Sequence, residues 1–379
     1  MITFADDLAF LSKHGDPIVL SGEGDAKIAL SAEYQGRVMT SGVSDRGRSL
    51  GWINHAFIEK GKTGTPFDNF GGEDRFWLGP EGGQFGLYFP PGAKFEFDAW
   101  QTPHAMQEGA WKVAKRDAKG VTFERAMSVT SWSKTPFDVG VTRTVRVLGK
   151  DDVQKHLGIA PGAPFVAYES ENAVTNAGKE KWTKAKGLVS IWILAMYAPA
   201  ADTRVVVPFD PKGAGPIVND AYFGKVPSDR LDVREAEGVL FFKGDGEQRG
   251  KIGLGPKRAK NVLGSYSAEA KLLTIVHYDP APAGAPYVNS MWEQQKDPYG
   301  GDVVNSYNDG PTAPGKPPLG GFYELETSSP GLELAPGASA KHTHRTFHFV
   351  GEAAELDPIA RKVLGVPIAE IAASLPAKD

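Results

Sequence analysis

A mainly β fold of antiparallel sheets, forming one large domain over residues 1–379 with short helices at both ends, is predicted here from three observations. Glycine (45) and proline (28) make up about a fifth of the 379 residues, a share that favours many turns and so many short strands. Most of the interior segments alternate apolar with polar residues, as half-buried antiparallel strands do. Helical spacing occurs only at the ends.

The elements follow in chain order. "FADDLAFLSKHG" (4–15) has helical apolar spacing and stops at Gly15, which places an N-terminal helical segment in residues 1–16. Strands are predicted from "DAKIALSAEY", "AKFEFDAW", "KGVTFERAMSVTSW", "FDVGVTRTVRVL", "APFVAYESENAV", "TRVVVPF", "GVLFFKGDG", "KLLTIVHY" and "ASAKHTHRTFHFVG", each bounded by Gly, Pro or Asp turns. The longest apolar run, "GLVSIWILAMYAPA" (187–200), is rich in β-formers and reads as a buried strand. "YGGDVVNSYNDGPTAPGKPPLGG" (299–321) reads as a long ordered loop, and loops of that length are usually functional. The tail 355–379 gives one or two helices broken at Pro367. No linker-like shift divides the chain and no repeat of 20 to 50 residues recurs, against a propeller or solenoid.

Composition narrows function by exclusion. A net charge of −4 with no block of like charge gives no footprint for nucleic acid. No apolar stretch is long enough to insert in a membrane. The absence of cysteine removes disulfides, thiolate catalysis and cysteine metal sites. No signal peptide is legible before "MITFADDLAF"; had one been removed, a soluble periplasmic or extracellular protein would fit. G-x-S-x-G, P-loop, H-E-x-x-H and strand-linked G-x-G-x-x-G patterns do not occur.

Six segments carry candidate chemistry. "GGEDRFWLGPEGGQF" (71–85) sets five glycines and four charges around aromatic residues, and "FDAWQTPHAM" (97–106) adds Trp100 and His104. Aromatic faces stack on sugar C–H surfaces while charged and amide groups meet hydroxyls. Arg75, Trp77, Glu81, Gln84 and His104 are therefore candidate binding residues; the alternative is an Arg75–Glu ion pair beside packed aromatics. In "GGFYELETSSP" (320–330), Glu324 and Glu326 share a strand face. Mutual repulsion raises one pKa, which suits a general base or acid, unless both simply face solvent.

"YVNSMWEQQKDPYGGDVVNSYNDG" (287–310) interleaves aromatics with amides and acids, including Trp292, Asn308 and Asp309. It suits a hydroxyl-rich ligand, with Ca²⁺ on Asp302, Asn308 and Asp309 or Asx turns as alternatives; the EF-hand spacing is missing. "GDGEQRGKIG" (244–253) reads as a turn and a strand with Arg249 and Lys251 on one face, for an anionic group or for solvent. "KHTHRTFHF" (341–349) puts His342, His344 and His348 on one face. "PGASAKHTH" resembles the first motif of the cupins, whose H-x-H pair holds a metal. That motif's Glu is absent, with His348 and Phe349 standing where it falls, and the helical tail has no room for the second motif. A hydrogen-bonded histidine row, with no metal or cofactor, is the expectation.

The order of "EYQGRVMTSG" (33–42), "GGEDRFWLGPEGGQF", "ESENAVTNAG" (169–178), "GFYELETSSP" and "LELAPGASAKHTHRTFHF" resembles the galactose mutarotase-like superfamily. The similarity is most specific to an uncharacterised bacterial branch, from about residue 4 to 365, and more distant to the aldose 1-epimerases. The resemblance implies a β-supersandwich of antiparallel sheets with a sugar cleft on the concave sheet. It also implies an isomerase-like reaction, in which a Glu takes the proton of the anomeric hydroxyl and a His protonates the ring oxygen. "ELET" followed by "APG" puts Glu326 at the Glu position. The family's catalytic histidine is replaced by Ala177 after Asn176, and its substrate-binding histidine by Phe70. His55, His104, His277 and His344 are left to replace them.

The reading is a carbohydrate-active protein whose partner is a sugar or other hydroxyl-rich small molecule. Glu326 and His344 are its catalytic candidates. Arg75, Trp77, Glu81, Gln84, His104, Trp292, Asn308, Asp309 and Glu324 are its binding candidates. A non-catalytic sugar-binding module is the alternative, and a metal-dependent enzyme built on His342 and His344 is a third.

Overall fold

The computed structural model describes residues 1–61 and 66–376. Three antiparallel sheets organise them. The largest has ten strands, running in space from Leu231–Arg234 at one edge, through Leu272–Tyr278, Ser339–Val350 and Phe165–Asn176, to Lys112–Arg116 at the other. A five-stranded sheet runs Gly250–Leu254, Val304–Asn308, Tyr323–Ser328, Ser190–Tyr197, Arg75–Gly79. A three-stranded sheet, Ile18–Ser21, Lys27–Ser31 and Arg37–Gly42, carries the N-terminal helix Phe4–His14.

Strand periodicity divides the five-stranded sheet into two chemically different faces. Residues opposite one another in register share a face. One row is Gly253, Asn305, Glu326, Leu194 and Arg75; the next is Lys251, Tyr307, Glu324 and Met196; Trp192 pairs with Trp77 beside them. The other face carries Ile252, Val304, Leu325 and Ala195, which bury themselves against Val205, Val207, Leu240, Phe242 and Val276 of the large sheet. This apolar layer joins the two sheets. It leaves the charged rows pointing away from the sandwich.

The large sheet's outer face is covered by the C-terminal helices Ala353–Val363 and Ile368–Ala373, whose Leu356, Ile359 and Ile371 meet Phe241, Ile275 and Phe347. The tail breaks at Pro367 as predicted, which becomes the cap of the second helix, although the first begins at Ala353 and tolerates Pro358 inside it. The N-terminal helix starts from a Thr3–Asp6 capping box and ends at Gly15. None of these helices is long and apolar enough to cross a membrane.

Three expectations change. "AKFEFDAW" is not a strand: its aromatics alternate because Phe95 meets Trp132 and Phe97 stacks near Trp292, in a loop with a single 3-10 turn at Phe97–Ala99. The 299–321 segment is not all loop, since Val304–Asn308 forms a fully buried strand inside the five-stranded sheet. Helices are not confined to the ends. Lys150–Leu157 is helical, with Val153 and Leu157 buried four residues apart and Gly158 closing it at φ 68°, signals short enough to be lost among strands.

Candidate functional site

The charged rows of the five-stranded sheet form the floor of a cleft. Arg75, Trp77, Trp192, Tyr307, Lys251 and Glu324 come from the sheet itself. Loops on top supply Glu81, Phe97, Trp100, Phe223 and Trp292. Trp100 and Phe97 lie parallel at 5° with centroids 6.3 Å apart, and Trp100 and Trp292 at 20° and 6.4 Å. Flat apolar faces therefore surround a small number of convergent charges, the usual make-up of a small-molecule site.

The segment 71–85 serves two masters. Gly71 (φ 85°) lets the chain approach so closely that a Cβ would come within 2.2 Å of the Trp52 carbonyl oxygen, which rules out any other residue there. Glu73 and Asp74 then turn inward between the sheets, onto His348 Nε2 (3.2 Å) and onto Arg143 and Ser170. Arg75 and Trp77, one strand period further on, face the cleft. Glu81 follows in the loop, its Oε1 accepting from Trp100 Nε1 at 2.9 Å.

The charges of the cleft are paired but incompletely. Arg75 donates from Nη2 to Glu324 and lies 4.6 Å over the Trp77 ring, while its Nε and Nη1 are buried with no partner among the described residues. Lys251 Nζ donates to Glu326 Oε2 at 2.9 Å, and Trp192 Nε1 donates to the same oxygen at 2.8 Å. Glu326 Oε1 has no partner among the described residues. Burial, reinforced by Glu326 and opposed by Arg75, pushes the Glu324 carboxyl up to about 8. Burial also raises Glu81, against the pull of Lys251. Lys251 itself is lowered by burial, but Glu326 and Glu81 more than offset this and hold it above its ordinary value. Perturbed carboxyls beside fixed cations in an aromatic cleft are what proton-transfer sites require.

A smaller pocket adjoins this cleft and shares Trp192 and Lys251 with it. Its Asp302 is pushed up to about 6 by burial and accepts from the Tyr222 hydroxyl at 2.6 Å.

The candidates from the sequence separate into three groups. Arg75, Trp77, Glu81, Trp292 and Glu324 line the cleft together. Glu326 is fully buried beneath it, behind Lys251 and Trp192, so Glu324 is the one of the pair that meets the open space. Gln84, Asn308 and Asp309 brace the surrounding loops. Gln84 exchanges hydrogen bonds with the Gln295 backbone at 3.0 Å, and Asn308 holds the 245–248 turn through Gly246 N (2.8 Å) and Gln248 O (2.9 Å). Asp309 accepts from the Tyr307 hydroxyl (3.0 Å) and from Gly320 and Gly321 N.

Neither His104 nor His344 is in the cleft. His104 is exposed on a short helix, 3.0 Å from Glu108. His344 points between the sheets, where it and His342 both hydrogen-bond Thr327 Oγ1, at 2.9 and 2.7 Å. Thr327 lies on the sheet face opposite to Glu324 and Glu326, so alternation alone separates the histidine row from the cleft. Burial drives His344 down to about 4 and His342 to about 3. Among the described residues no group of three His, Asp or Glu side chains is arranged to hold a metal ion.

Lys251, Arg249 and Trp192 are among the cleft residues that sequence reasoning did not assign to it. The alternation in "GDGEQRGKIG" had put Arg249 and Lys251 on one face, and Trp192 was hidden in a run that reads only as buried strand.

A family model described as "Family of unknown function (DUF6786)" matches residues 2–375. The chain belongs to this family. No curated protein matches the sequence. Solved structures of similar fold superpose on the DUF6786 chain. A candidate aldose 1-epimerase from Escherichia coli K12 superposes with a TM-score of 0.54 at 12% identity, covering 89% of this chain and 99% of its own. The Slr1438 protein from Synechocystis sp. PCC 6803 gives 0.52 at 10% identity, covering 89% and 96%. At these identities the likeness establishes the fold, mainly β with antiparallel sheets, as the sequence predicted.

Proposed function

We propose that the cleft of this DUF6786 protein binds a sugar and moves protons on it. The observation that carries this reading is the joint presence of a stacked aromatic surface (Phe97, Trp100, Trp292) and two carboxyls of raised pKa, Glu81 and Glu324, in one cleft. Sugar C–H faces stack on such rings, and hydroxyls find donors in Arg75 and acceptors in the carboxylates. A carboxyl that keeps its proton near neutrality can deliver it to a ring or glycosidic oxygen, and a neighbouring carboxylate can take one from a hydroxyl. Glu324 suits the first role and Glu81 the second. Glu326, the residue at the family's Glu position, acts through Lys251, whose charge it fixes at the cleft floor.

Anomer interconversion fits this set, since it needs one acid and one base. The superposed candidate epimerase favours that reaction class on fold grounds. A binding module without turnover is the second reading. It is favoured by one observation: no histidine is among the residues lining the cleft.

The test is to screen sugars by tryptophan fluorescence and then follow anomer exchange of each bound sugar by NMR. Binding with exchange that Glu324→Gln abolishes supports an acid–base enzyme. Binding without exchange supports the module, and no binding by any sugar sinks both.

A further inference from the structure

The cations of the cleft are not equivalent. Arg75 is matched by Glu324 and Lys251 by Glu326. Arg249, half-buried at the cleft edge, has no carboxylate within ion-pair distance among the described residues. Its guanidinium carbon lies 3.7 Å over the Phe223 ring, 5.3 Å from Phe97 and 5.8 Å from Trp292, and its buried Nε has no partner among the described residues. Arg230 and Arg345, by contrast, each carry carboxylate partners. The chain also holds Arg249 firmly. Asn308 ties the turn just before it, and the same turn is anchored by the Arg230–Asp245 pair.

A guanidinium fixed against aromatic faces and beside the Tyr307 hydroxyl, with no ion-paired carboxylate among the described residues, presents a planar fork suited to two oxygens of an anion. Resting on the sugar-binding reading above, we propose that the sugar carries an anionic substituent, a carboxylate or a phosphate, which Arg249 engages. The aromatic rings beside Arg249 then receive the sugar ring next to that group, and the two open donors of Arg75 meet its hydroxyls.

The experiment compares neutral monosaccharides with their uronic acids and their phosphate esters, by tryptophan fluorescence on the full chain. The charged forms are expected to bind at least about tenfold tighter than the neutral parents, because a hydrogen bond to a charged group is worth more than one between neutral groups. The uronate and phosphate arms tell the two anions apart. Arg249→Met should bring the charged-to-neutral affinity ratio down about 10- to 100-fold, toward one.

Equal affinity for charged and neutral forms in the wild type, or an unchanged ratio in Arg249→Met, overturns the proposal and leaves the sugar cleft standing. Inorganic phosphate binding as tightly as the sugar phosphates overturns it as well. If no sugar of either kind binds, the sugar reading itself falls and this proposal with it. Should Arg249→Met not fold, salt decides on the wild type alone: affinity for the charged forms must weaken in high salt, and salt-independent binding contradicts the proposal.

Discussion

Two buried ionic clusters lie within one strand period of each other along the chain, and they are built to opposite specifications. Between the sheets, Asp74 accepts from Arg143 Nη2 at 2.5 Å and from Ser170 Oγ at 2.8 Å. Arg143 spends its remaining donors on Gly36 O and Asn172 Oδ1. On the far side of the five-stranded sheet, Arg75 uses one nitrogen on Glu324 and leaves two open, and Glu326 leaves an oxygen open. Unsatisfied buried groups cost stability. The incomplete cluster is the one proposed to meet a ligand, although Glu73 Oε1 and His344 Nε2 between the sheets also lack a partner among the described residues.

The sharpest way to break this comparison is to remove each arginine in turn. Arg143→Met strands the Asp74 charge in the interior and should cost about 3–5 kcal/mol of stability, read by chemical denaturation. Arg75→Met should cost no more than about 2 kcal/mol, since Glu324 can take up a proton and two open donors disappear with the arginine. Equal losses in the two variants would erase the distinction.

Glu324→Gln comes next. If the protein turns a sugar over, the rate should fall about 100-fold or more. The same variant has a stability signature independent of turnover. The folded Glu324 carboxyl keeps its proton up to about 8, whereas its ordinary value is 4.5. Within that window the folded state binds more protons than the unfolded state, so wild-type stability drops as pH rises. Denaturation at about pH 5 and about pH 8 should show that decline in the wild type and a smaller one in Glu324→Gln.

Trp292→Ala should weaken sugar affinity about 3- to 10-fold through lost stacking. His104→Ala should leave stability within about 0.5 kcal/mol, because an exposed side chain away from the cleft touches little.

The sequence revealed the fold well because its signals are local. Alternation marked Tyr323–Ser328 and Ser339–Val350, and turn residues marked their ends. Where aromatics alternated for a different reason, as in "AKFEFDAW", the same rule misled. The site was legible in part. Arg75, Trp77, Glu81, Trp292 and Glu324 stood out as charges set among aromatics.

Lys251 and Trp192 did not, because their roles arise from register: Lys251 stands opposite Tyr307, and Trp192 opposite Trp77. His344 drew attention by composition, yet the side of the sheet it faces depends on which sheet packs against it. Glu326 matched a motif, but only packing reveals that Lys251 and Trp192 stand between it and the cleft.

A crystal structure with a bound sugar tests the central claim most directly. The account predicts the sugar ring against Trp100 and Trp292, with a sugar oxygen within about 3.2 Å of Arg75 Nε or Nη1. A sugar bound elsewhere, with those two donors still without a ligand oxygen, would contradict it.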